Sequence, residues 1–178
     1  MNHYVLLAKE AVEAYIREGK IISSSPDLPK EFFETKSGVF ITIEKQGKLR
    51  GCIGTYLPTQ ENIAKEIVSN AISAATEDYR FNLVEEEELP YLSYTVSILS
   101  KPEQIKNLEE LDSKKYGIIV KTFSVTEPQK TKKAGLLLPD LKGVDSVKKQ
   151  ISVACQKAGI NPSKEKVLIY RFTVKKFQ

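Results

Sequence analysis

Apolar positions along this chain change period several times. Between Leu6 and Glu18, Leu7, Ala11, Ala14 and Tyr15 recur at helical spacing, and Leu6, Val12 and Ile16 widen the stripe. The pattern predicts an amphipathic helix stopped by Gly19. Ser23–Pro29 reads as a loop by composition. Val39–Glu44 and Leu49–Tyr56 are β-rich and flank a turn at Lys45-Gln46-Gly47-Lys48, which predicts a hairpin. Ile63, Ile67, Ala71 and Ala74 then form a second helical stripe. Thr59 is its expected N-cap, and the helix should end over 76–78. Its N-terminus is expected beside the hairpin, where it would favour an anion.

The second half alternates less regularly. Glu85–Glu88 reads as an exposed turn or the start of a short helix. Tyr91–Leu99 is a strong strand closed by Lys101-Pro102. A short helical piece is expected over Leu108–Leu111, and strands over Gly117–Thr122 and Ala134–Leu138. The polar stretch Ser124–Lys133 between those strands reads as a mobile loop. Asp145 or Ser146 should cap a helix carrying Val147, Ile151, Ala154, Cys155 and Ala158, ended by Gly159. Val167–Val174 reads as one final strand. This irregular order predicts an α+β fold, a mainly antiparallel sheet with packed helices. We expect a single domain over residues 1–178, with room for a small second lobe.

Composition narrows the function classes. The 41% hydrophobic and 28% charged content of 178 residues suffices for a real core. No apolar run is long enough to span a bilayer, and the start, Met1-Asn2-His3-Tyr4, lacks the pattern of a secretion signal. Cys52 and Cys155 are the only cysteines, so reduced thiols and a cytoplasmic protein are expected. The net charge of +4 comes mostly from lysine and reads as a solvated face. RNA binding through that face is the minority alternative, because no strand alternates aromatic and basic residues.

The chemistry concentrates in Leu49-Arg50-Gly51-Cys52-Ile53-Gly54-Thr55. Glycines inside a strand mark a bulge or a close approach by a backbone or ligand. Strand alternation puts Arg50, Cys52, Gly54 and Tyr56 on one face. Cys52 is either a small core residue or a nucleophile whose thiolate the Arg50 guanidinium would favour. His3 is the only histidine and lies where a chain end frays, so a Cys–His dyad is not expected. The same scarcity removes most transition-metal sites, and no cofactor motif is present. Arg80 pairs with Asp78 or Glu77, or else joins Arg50 in a clamp for a phosphate or carboxylate. Tyr56, Tyr79 and Phe81 would line such a cleft and stack on a planar ligand.

The run LRGCIG at Leu49–Gly54, following Gly38–Ile43, resembles the signature of the AMMECR family. Asp78-Tyr79-Arg80-Phe81 resembles that family's D-P-R-F segment, with Tyr79 in place of proline. Leu89-Pro90, Ser97–Ser100, Leu136–Pro139 and Lys157-Ala158-Gly159 follow in the family's order, so the similarity covers about Leu7–Phe177. The resemblance implies a functional cleft built from Arg50, Gly51, Cys52, Ile53 and Gly54, with Arg80 and Tyr56 nearby. It also implies association with a Memo-type protein, resembling ring-opening dioxygenases, and a radical SAM protein. The shared pathway would modify a nucleobase or another small aromatic compound. Three roles follow from these residues: an enzyme with Cys52 as nucleophile and Arg50 as its helper, a non-catalytic module that docks a ligand or partner through the same strand, or an RNA-binding protein.

Overall fold

Helix α1 (His3–Glu18) begins earlier than its apolar stripe, because the Asn2 side chain accepts from the Tyr4 N–H and caps it. His3 is therefore the first residue of a helix, not part of a frayed end. Gly19 ends the helix in the left-handed conformation, at φ 65°. The computed structural model describes residues 2–123 and 131–178. The chain divides into two units, one running to Leu99 and including Lys175–Gln178, the other Ser100–Val174.

The first unit holds α1, a one-turn helix α2 (Glu31–Glu34), strands β1 (Val39–Lys45) and β2 (Lys48–Gly54), helix α3 (Ile63–Thr76) and strand β3 (Leu92–Leu99). The hairpin turns at Gln46 and Gly47, both with positive φ, as a two-residue hairpin loop requires. Val39, Ile41 and Ile43 of β1 and Val96 of β3 are fully buried with Ala8, Ala11 and Val12 of α1 and Ile67 and Ala71 of α3. This buried set is one helix-on-sheet core. Its antiparallel sheet has the order β2-β1-β3-β8, in which β8 is Val174–Phe177.

In the second unit, β4 (Glu103–Gln104), β5 (Gly117–Phe123), β6 (Thr131–Leu137) and β7 (Val167–Phe172) form a sheet ordered β4-β7-β5-β6. Helix α4 (Val147–Lys157) is capped by Ser146 and packs with Ile118, Val120 and Leu137 through Ala154 and Cys155. The expected α+β class is what the chain adopts, with two antiparallel sheets where one was anticipated. The expected last strand is two strands, β7 and β8 (Val174–Phe177), and they belong to different sheets. Of the loop expected over Ser124–Lys133, residues 131–133 are strand, and 124–130 lie outside the described residues.

Each unit uses the same device to seat a helix on its sheet. A Cβ at Gly51 of β2 would collide with the Ala74 carbonyl of α3, and one at Gly135 of β6 with the Ala154 carbonyl of α4. Neither glycine needs unusual dihedrals, so what it supplies is space. Gly51→Ala and Gly135→Ala should each cost about 1–3 kcal/mol by forcing helix and sheet apart. Urea midpoints of the two variants check this, and wild-type midpoints would refute the close-packing account.

Candidate functional site

Strand β2 lies at the edge of its sheet, so the outward N–H and C=O groups of its backbone need partners other than β1. At Cys52 the side chains of Asp78 and Arg80 supply them. The Cys52 N–H donates to Asp78 Oδ2 at 2.8 Å, and Arg80 Nη2 approaches the Cys52 carbonyl at 3.5 Å. Asp78 and Arg80 are themselves paired, with Nε to Oδ1 at 2.8 Å and Nη2 to Oδ2 at 2.6 Å. Together they bracket the Cys52 peptide much as a neighbouring strand would. The Asp78 side chain is almost wholly buried, whereas that of Arg80 is 45% exposed. Arg80 hydrogen bonds pull the Asp78 carboxyl down to about 2 against the opposing effect of burial, and the Cys52 N–H adds to them.

Arg50 sits where the β1–β2 register slips. Ile43 pairs with Gly51 and Glu44 with Leu49, so Arg50 is the extra residue of a β-bulge. Its guanidinium forms a fork with Glu88, Nε to Oε1 at 3.0 Å and Nη2 to Oε2 at 2.7 Å. It also donates to the carbonyls of Asn82 and Leu83 at 2.9 and 3.0 Å. Glu88 further accepts from Lys45 Nζ at 2.9 Å and from the Glu85 N–H at 3.0 Å. The Arg50 hydrogen bonds, then Lys45, hold its carboxyl near 2 although burial opposes them. Residues 78–88 are thus strapped along β2 by charge-assisted bonds.

Cys52 is half-buried as a residue, and its sulfur lies 3.4 Å from the Thr42 hydroxyl on the paired strand. Arg50, expected to serve the thiolate, is committed to Glu88 and two carbonyls. The two-arginine clamp is likewise occupied, because each guanidinium already has a carboxylate. Arg50, Tyr79, Arg80, Phe81 and Asn82 line an open depression of about 440 Å³. Tyr79 is 95% exposed, and the Arg80 guanidinium lies 5.4 Å from the centre of the Phe81 ring. β2 ends at Gly54, so Tyr56 follows the strand instead of continuing its face and does not line the depression. Ile53 packs against the core, and a Cβ at Gly54 would strike Phe40 and the Val39 carbonyl. Among the described residues no group of three His, Cys, Asp or Glu side chains is placed to hold a metal.

The N-terminus of α3 is also accounted for. Asn62, not Thr59, is its N-cap. Glu66 in the first turn is fully buried and accepts from the Thr59 and Gln60 N–H groups, both at 2.7 Å, and from the hydroxyls of Thr55 and Thr59. Asn70, one turn on, donates to the Val39 carbonyl at 3.0 Å. The anion expected at this helix end is therefore the protein's own carboxylate. Its signal in the sequence is a Glu66/Asn70 pair at i,i+4 beside the apolar stripe. Cys155 in the second unit is buried, and burial pushes its thiol up.

The AMMECR1 family profile matches residues 5–177, which takes in both units and the whole strap. The chain belongs to the AMMECR1 family. A protein of Thermotoga maritima is 47% identical over 176 residues, covering 98% of this chain and 97% of that one. Protein CA_C1420 of Clostridium acetobutylicum is 41% identical over 175 residues, which are 98% of this chain but 34% of that protein. The fold also matches the crystal structure of the uncharacterized protein PH0010 from Pyrococcus horikoshii, with a TM-score of 0.85 at 31% identity, over 97% of this chain and 88% of that one. No helix is long and apolar enough to cross a membrane among the described residues.

Acid should release the strap of this AMMECR1 chain. Asp78 and Glu88 each have a folded-state value below the unfolded one. Their contribution is complete above the unfolded carboxylate range, about pH 4, and is lost as pH falls toward about 2. The urea midpoint should therefore drop across that window. The double variant Asp78→Asn, Glu88→Gln should be less stable at neutral pH and show a flatter acid limb. A limb of unchanged slope would assign the acid sensitivity to other carboxylates.

Proposed function

We propose that this AMMECR1-family protein is a docking module that presents the Tyr79–Arg80 turn beside β2 to a protein partner. The supporting observation is that Tyr79 is 95% exposed while the residues on either side of it are fixed, Asp78 to the Cys52 peptide and Arg80 to Asp78. A rigid turn that displays an aromatic ring and a half-exposed guanidinium has the make-up of an interface anchor. Asp78 and Glu88, the carboxylates nearest the strand, are held near 2 by their donors and so are poor general bases at neutral pH. That weighs against proton-transfer chemistry at Cys52.

The family resemblance supplies the partner class: a Memo-type protein together with a radical SAM protein, in the cytoplasm, working on a nucleobase or another small aromatic compound. A second reading, covalent chemistry at Cys52, draws support from the partial exposure of the thiol next to the Thr42 hydroxyl.

The two readings separate in one experiment. Association with the Memo-type protein of the same organism is measured by calorimetry for the wild type, Tyr79→Ala and Cys52→Ser. Docking predicts at least a tenfold loss for Tyr79→Ala, as for an aromatic hot spot, and little change for Cys52→Ser. Retained association in Tyr79→Ala would sink the docking role. Loss of a product-forming step in Cys52→Ser, with association intact, would favour the covalent reading.

A further inference from the structure

Charge is unevenly divided between the two units. Ser100–Val174 carries 15 lysines and arginines against 8 aspartates and glutamates, whereas the rest of the chain carries 12 against 15. The net charge of +4 is thus the excess of a basic second unit over an acidic first one. Charge of one sign gathered on one body draws partners of the other sign.

Within the second unit the excess gathers at one end of the sheet. Thr122 of β5 pairs with Lys133 of β6 on one side and with Val167 of β7 on the other, so both strands begin there. The segment leading from α4 into β7 is tied to the same end. Lys133 Nζ donates to the Gly159 carbonyl at 2.7 Å and pairs with Glu165 at 2.9 Å. Lys157, at the end of α4, reaches the Leu136 carbonyl at 3.4 Å. Lysines 132, 133, 157, 164 and 166 share this end with one carboxylate of the unit's described residues, Glu165. That carboxylate is already committed. It accepts from the Asn161 N–H at 2.8 Å, and this bond, then Lys133, holds it below the usual carboxylate range. The side chains of Lys132, Lys164 and Lys166 are exposed, and their ammonium groups have no ion pair or hydrogen bond among the described residues. The opposite end of the sheet differs. There the Asp140 N–H donates to the Ser113 carbonyl and Gln150 Nε2 to that of Tyr116. Lys114, Lys142 and Lys149 at that end are accompanied by Asp112, Asp140 and Asp145.

The make-up of the cluster selects its partner. Neither Thr131–Lys133 nor Lys157–Lys166 contains an aromatic residue on which an unpaired base could stack. The large apolar side chains exposed in the second unit are Leu108 and Leu141, and both lie outside the cluster. It therefore lacks the apolar anchor of a membrane-surface element and the buried hot spot of a protein interface. Its cations are all lysine, point charges without the arginine fork that grips a base edge or a single carboxylate. Such a surface suits a dense, regular row of negative charge. We infer that this end of the second unit binds the phosphate backbone of a nucleic-acid duplex without reading its sequence. Lys132, Lys164 and Lys166 contact the phosphates, and the Lys133–Glu165 pair fixes the segment that presents two of them. The inference is independent of docking at Tyr79, which lies in the other unit.

Fluorescence anisotropy of a labelled DNA duplex, and of an RNA duplex of the same sequence, titrated with the full chain reads the contact directly. Three phosphate contacts predict a slope of about −3 for log affinity against log salt, roughly a fortyfold loss between about 50 and 200 mM. A scrambled sequence should bind alike. Lys132→Gln with Lys164→Gln and Lys166→Gln should weaken binding at least tenfold at the lower salt and flatten the slope, with the thermal midpoint kept because all three side chains are exposed. Lys114→Gln with Lys142→Gln and Lys149→Gln removes the same charge from the opposite end and should bind within about twofold of wild type. The inference is overturned if neither duplex binds at the lower salt, or if the two triple variants lose affinity alike, which would make net charge the cause. Equally tight binding to phosphatidylglycerol vesicles or to polyglutamate would also overturn it, by assigning the cluster to a membrane or an acidic protein.

Discussion

An edge strand must satisfy its outward backbone groups, and in this chain side chains do so at Cys52 of β2. Asp78 takes the Cys52 N–H, and Arg80 reaches the carbonyl of the same residue. Arg50, placed outward by a bulge, ties down the carbonyls of residues 82 and 83. Unpaired, such an edge would invite strand addition from another chain. The strap removes that hazard and in the same stroke fixes the shape of the surface around Cys52.

This arrangement changes how the signature residues should be understood. Arginine, cysteine and glycine side by side suggest a reactive centre. Here the arginine is a fork on Glu88, one glycine makes room for a helix carbonyl, and the other lies against Phe40. Asp78 and Glu88 are each held by an arginine side chain and by backbone N–H groups. Around that strand Tyr79 and Leu83 stay largely exposed, and the Arg80 side chain is 45% exposed.

Much of the architecture was legible in the residue pattern, because helix periodicity and the Gly47 turn are local signals. The hairpin, the stop at Gly19, the Ser146 cap and the buried place of Cys155 all follow from neighbours within a few residues. The expectations that missed depend on distant partners. Glu88 lies in an acidic run that reads as an exposed turn, yet it is almost covered because Arg50, thirty-eight residues earlier, reaches it. Thr59 looks like a helix cap but gives its hydrogen bonds to Glu66, a carboxylate buried in the following helix. The division of Val167–Phe177 between two sheets could not be read from a stretch that is β-rich throughout.

That last division has a temporal side. Strand β8 lies beside β3, the Phe177 ring sits 4.4 Å from that of Tyr4, and Gln178 reaches Thr95. The first unit is therefore discontinuous in sequence, with the whole of the second inserted before its closing strand. Strands β1, β2 and β3 thus precede β8 by the whole length of the inserted unit, and their sheet lacks one edge until those residues have followed. The unit carrying Cys52 and the strap closes only when the last strand arrives.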